Sequence, residues 1–215
     1  MPAWPWFALA ALGAFHGLNP AMGWLFAVAL GLQRKSRAAV LWSLLPIAVG
    51  HALSIALVVI TVGVLRAYVD LTILQVCAAL VIIAFGLFRV LARHRARVGM
   101  QVSGRDLLVW SFLMATAHGA GLMLLPVLLE MPIGSTHRAH EHMMATGGLG
   151  PSFATGLAAI VAHTAAMLLV AGVIAIAVYE WIGLAFLRRG WINLDLVWVV
   201  ALLGAGVFLL VEALL

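Results

Sequence analysis

Six apolar runs, each long enough to cross a lipid bilayer, constrain this chain before any motif does. They read Trp4 to Leu32, Ala38 to Leu65, Leu71 to Leu91, Leu107 to Leu129, Phe153 to Val178 and Ile192 to Leu215. A hydrocarbon core about 30 Å thick is spanned by about 20 helical residues at ~1.5 Å rise each. The runs are continuous rather than alternating, which argues against a barrel of tilted strands. With 66% hydrophobic and 9% charged residues in 215 positions, the expectation is an all-α integral membrane protein. It has six transmembrane helices in a single domain, residues 1–215.

The formal charge of +5 is placed for topology rather than for nucleic acid, which is not an expected partner. With the amino terminus outside, Arg34, Lys35 and Arg37, then Arg89 to Arg105, then Arg188 and Arg189 all fall on the cytoplasmic side. Only Arg66 and Arg138 remain outside. The positive-inside rule therefore predicts both termini extracytoplasmic in a plasma membrane, the inner membrane of a bacterium. No Lys or Arg precedes Arg34, so the first run lacks the basic n-region of a signal peptide and reads as a retained helix. Trp4, Trp6, Trp181 and Trp191 suit the interfacial aromatic belts. The single cysteine, Cys77, excludes an intrachain disulfide and reads as packing in the third helix. The bilayer and a small transported species are the expected partners, and a homo-oligomer is compatible with the sequence.

Polar interruptions then single out four positions. The first run contains Phe15-His16-Gly17-Leu18-Asn19-Pro20, and His51, His118 and His163 lie at comparable depth in three other runs. A histidine roughly a dozen residues from a helix end is ~18 Å deep, near the middle of the core. Four imidazoles at one depth predict one site. Pro20 removes a backbone donor and disturbs the carbonyl of His16, and such breaks are tolerated where they are buried in protein or line a cavity. Gly13 and Gly17 form a small-xxx-small pair that lets another backbone approach. Ser54 shares a face with His51, and Thr164 follows His163.

The order of these features repeats. A His-Gly in the first helix of each half, His16-Gly17 and His118-Gly119, is followed by Gly50-His51-Ala52 and Ala162-His163-Thr164 in the second. This predicts a three-plus-three repeat, residues 1–100 and 101–215, with helices one and four interrupted. An odd number of helices per half makes the repeat inverted, a plan that recurs in secondary transporters with midplane sites.

The longest external loop, 130–152, carries His137, His140, Glu141 and His142. Imidazole suits Ni, Co, Cu and Zn, and short His-rich tracts are a compositional metal signal. Neutral histidines add no negative charge, so the membrane site should hold a cation weakly, as transport requires. Metal must displace protons from histidine, which makes metal–proton exchange the expected mechanism. Met114 and Met167 lie four residues from His118 and His163, where thioethers would favour Cu(I) or simply fill space.

Phe15-His16-Gly17-Leu18-Asn19-Pro20-Ala21-Met22-Gly23 resembles the first-helix histidine motif of nickel/cobalt exporters in the wider lysine-exporter superfamily. Gly50-His51-Ala52-Leu53-Ser54 and Ala117-His118-Gly119-Ala120-Gly121 resemble its other histidine motifs. Met22 stands where the exporter motif has a second histidine. The resemblance implies a six-helix duplicated transporter, with His16 and His118, then His51 and His163, as metal ligands and no resident cofactor. Asn19 and Pro20 shape the break. Two other readings follow from the residues. In an exporter of amino acids or other organic solutes, Asn19, Ser54 and Thr164 bind substrate while the histidines carry protons. In a haem-binding redox protein, two histidines are axial ligands. An enzyme is not expected, because Glu180, Asp195 and Glu212 lie near helix ends, away from the histidine depth.

Overall fold

The structure is a computed structural model and describes residues 3–66, 68–91, 103–131, 151–182 and 194–215. These residues are helical, with no strand among them. Three helices are long and apolar enough to cross a membrane: Arg37–Leu65, Leu71–Leu91 and Phe153–Trp181. Their outer faces agree with insertion. Leu41, Trp42, Leu45, Val49, Leu53, Leu57, Ile60 and Val64 are all exposed along one helix, an apolar stripe that water would not tolerate at this length.

The first run is not one helix. Helix α1 (Trp4–Leu18) ends before a 3-10 turn (Pro20–Met22), and α2 (Trp24–Arg34) resumes the path. Asn19 sits in extended backbone at φ −75°, ψ 118°, and its side chain accepts from the Ala21 amide at 3.0 Å. The residue before a proline is pushed out of the helical region, so the Asn-Pro step sets the break. Gly23 closes the turn at φ 119°, a conformation open to glycine but not to bulkier residues. The His16 carbonyl, robbed of a donor by Pro20, receives the Asn19 amide at 3.1 Å instead.

Helix α3 (Arg37–Leu65) is capped by Ser36, whose hydroxyl accepts from the Ala39 amide, and continues through Pro46. Helix α4 covers Leu71–Leu91. The fourth apolar run is also divided, into α5 (Gly104–Ala117), α6 (Ala120–Met123) and α7 (Leu125–Glu130). The break falls at His118-Gly119, with Gly119 at φ 70°. Helix α8 (Pro151–Ala177) runs on into a π-helical turn, Val178–Ile182, so the segment after Val178 extends the helix at least that far. Helix α9 is Leu194–Leu214.

Packing follows a reciprocal pattern. Helix α1 lies along α8, α5 lies along α3, α4 pairs with α9, and α3 also touches α8. Gly13 and Gly17 make the first of these contacts intimate: a Cβ on Gly13 would strike the His163 carbonyl, and one on Gly17 would lie 2.5 Å from the Met167 carbonyl. The small-residue pair therefore does bring two backbones together. Ser111 on α5 donates to the Ile47 carbonyl of α3 at 2.7 Å, and Arg66 donates to the Met131 carbonyl at 2.6 Å, tying the end of α3 to the end of α7. At the opposite end, Arg37 pairs with Glu180 of the π turn at 2.8 Å. Cys77 corrects one expectation: it is exposed on α4 rather than packed inside. The alternation of apolar residues around a helix in lipid does not report which face is inward.

Candidate metal centre

Three of the four expected histidines meet. His16 from α1, His51 from α3 and His163 from α8 are each fully buried, and one ring nitrogen from each lies within 4.8 Å of the other two. The His51 and His163 rings are parallel within 4° at a centroid separation of 5.5 Å. His16 stands edge-on to both, 5.3 Å from His51 and 4.8 Å from His163.

Backbone carbonyls assign roles to the nitrogens. His16 Nδ1 lies 2.7 Å from the Leu12 carbonyl, one turn earlier on its own helix. His163 Nδ1 lies 3.1 Å from the Leu9 carbonyl, across the α1–α8 contact. A carbonyl can only accept, so in each neutral ring Nδ1 carries the proton and Nε2 carries the lone pair. This is the arrangement of a metal-ligating histidine, whose other nitrogen donates to a fixed acceptor. Helix α1 thus supplies one imidazole and orients a second. His51 differs. Among the described residues, neither of its ring nitrogens has a hydrogen-bond partner, nor does His163 Nε2.

The donor set fits a transition-metal cation. Trigonal or tetrahedral ligand bonds of about 2.0–2.1 Å set nitrogens ~3.3–3.6 Å apart, so a contraction of up to about 1.5 Å closes the set on an ion. All three donors are imidazoles, and no carboxylate is buried among the described residues. No described residue supplies compensating charge at the site, so these three imidazoles would hold a cation weakly and only while each ligand stays deprotonated.

His118 is buried too, but it is not in the group whose nitrogens converge. It ends α5, and its Nδ1 donates to the Met114 carbonyl at 2.8 Å, the same one-turn contact that His16 makes with Leu12. Ser54 is engaged elsewhere: it lies 2.9 Å from the Thr116 hydroxyl, whose own proton goes to the Phe112 carbonyl, so Ser54 donates. Asn19 and Thr164 are buried with Asn19 Nδ2 and Thr164 Oγ1 lacking partners among the described residues. Pro20 opens the 3-10 turn. Met167 is buried and Met114 half-buried. His137, His140 and His142 lie outside the described residues. The sequence did not single out the backbone acceptors of Leu9 and Leu12, since a main-chain carbonyl leaves no residue-type signal.

No family model, curated protein or solved structure matches this chain.

Proposed function

We propose that this chain is a secondary transporter of the inner membrane that moves a divalent transition-metal cation, nickel- or cobalt-like, in exchange for protons. Its design is a six-span inverted repeat with broken first and fourth helices and both termini extracytoplasmic, similar to nickel/cobalt exporters of the lysine-exporter superfamily. The observation that carries the reading is His51: a buried imidazole with no hydrogen bond among the described residues, beside two more imidazoles whose tautomers leave Nε2 unprotonated. Unsatisfied buried polar groups in a native fold call for an explanation, and a bound ion is one that suits a cluster of imidazoles. Reciprocal packing of α1 on α8 and α5 on α3 supports the repeat, and the three neutral ligands suit a cargo that must be released. The external histidines 137, 140 and 142 are proposed to collect or hand on the ion.

Export of an organic solute is the second reading, supported by the unpartnered Asn19 Nδ2 and Thr164 Oγ1. A haem between two of these histidines is disfavoured sterically: His51 and His163 are stacked rather than opposed, and His16 stands against both.

The test is calorimetric titration of the purified protein in detergent with Ni(II), Co(II), Zn(II) and Cu(I), beside a His51→Ala/His163→Ala double variant. Binding in the wild type that the double variant loses supports the metal reading. Binding equal in both, or none in either, moves organic-solute export to first place.

A further inference from the structure

The centre contains an asymmetry that the pairing of its long helices does not. Exchanging α1 with α5, α3 with α8 and α4 with α9 maps α1–α8 onto α5–α3 and leaves α3–α8 and α4–α9 in place, while the α2–α3 contact stands outside the exchange. The same exchange turns His51 into His163, whose rings are stacked and parallel within 4°. It turns His16 into His118. Both are buried, both are followed by glycine and a helix break, and both direct Nδ1 at the carbonyl four residues earlier, at 2.7 and 2.8 Å. Each therefore keeps its proton on Nδ1 and its lone pair on Nε2. Only His16 belongs to the convergent set.

We propose that His118 is the alternate third ligand. His51 and His163 hold the ion throughout, and when the two halves exchange conformations the His16 Nε2–metal bond breaks as a His118 Nε2–metal bond forms. The coordination number stays at three, and no proton moves, because both rings retain Nδ1–H on a carbonyl. Such a swap makes the loaded states on the two sides of the membrane near-equivalent. Alternating access in inverted repeats needs that equivalence for the cargo to be neither trapped nor refused.

This inference rests on the transporter reading above, and its test separates the two. Co(II) binding in detergent and Co(II) flux into proteoliposomes under a pH gradient are measured for wild type, His16→Asn, His118→Asn and the double variant. Each single variant keeps one loaded state and is expected to bind Co(II) within about tenfold of wild type, since removing one of two near-equal states reduces affinity only by its population. Each single variant should nevertheless lose flux by the roughly 10- to 100-fold seen when a metal site loses a needed partner. The double variant should lose binding far beyond the sum of the singles, a coupling that independent structural roles do not produce. If one asparagine variant fails to fold by circular dichroism, glutamine at the same position replaces it. Wild-type flux in His118→Asn overturns the swap, as does His16→Asn losing binding as completely as the double variant; either leaves the transporter reading standing. Absence of Co(II) binding and flux in the wild type removes that reading, and the swap with it.

Discussion

His51 shows what a single residue can reveal about a site. A buried polar group left without a hydrogen bond costs about 1–3 kcal/mol, and here both ring nitrogens are in that condition among the described residues. Replacement by an apolar residue of similar size should remove the penalty. His51→Leu is therefore expected to raise the stability of the metal-free protein by up to about 1–3 kcal/mol, while removing any stabilisation by added Co(II). Thermal melting in detergent with and without Co(II) checks both halves. A variant less stable than wild type in the absence of metal would mean that the imidazole is satisfied by groups beyond the described residues. A gain in stability with a loss of binding is the usual signature of a functional site built against local preference.

At the level of the element, α1 and α8 form one unit. His163 is oriented by the Leu9 carbonyl, and Gly13 admits the His163 backbone. A side chain at position 13 meets main chain, which cannot rotate away. Gly13→Val is expected to cost about 1–3 kcal/mol, the usual penalty of overpacking, and to weaken Co(II) binding by spreading His16 from His163; calorimetry and melting curves measure each. The start of α5 offers a pH-dependent counterpart outside the membrane. Ser103 donates to Asp106 through its hydroxyl at 2.6 Å and its backbone amide at 2.8 Å, a reciprocal capping box. These bonds, the hydroxyl first, hold the Asp106 carboxyl below its ordinary pKa. A pKa lower in the folded state means that the cap stabilises above the unfolded value and is lost as pH falls through the folded one. The melting temperature of wild type should accordingly exceed that of Asp106→Asn at pH 6, and the difference should close progressively at acid pH. A gap that persists unchanged at pH 3 would locate the effect in packing instead.

For the molecule as a whole, depth along a helix could be read from the sequence, but rotation about its axis could not. Equal depth placed His16, His51, His118 and His163 in one layer, and three of them do converge. His118, at the end of α5, is not in that group. The helices at Arg37–Leu65 and Leu71–Leu91 match the apolar runs within a residue, since Ser36 caps the first and the second has no proline and carries Gly86 without a break. The runs at 4–32 and 107–129 each divide into shorter helices. Pro20 marked the first break; the second turns on Gly119, where only the match of His118-Gly119 to His16-Gly17 predicts an interruption, a lone glycine being a weaker signal than proline. Cys77 escaped for the same reason as His118: hydrophobicity in a bilayer says nothing about azimuth.

A centre made only of uncharged imidazoles also has an electrical consequence. In a carrier of the kind proposed, the bare site is neutral, while a site holding either metal or protons is positive. Transmembrane voltage, worth about 2.3 kcal/mol per elementary charge per 100 mV across the full field, then acts on the occupied steps of the cycle and leaves the return of the bare carrier indifferent to it.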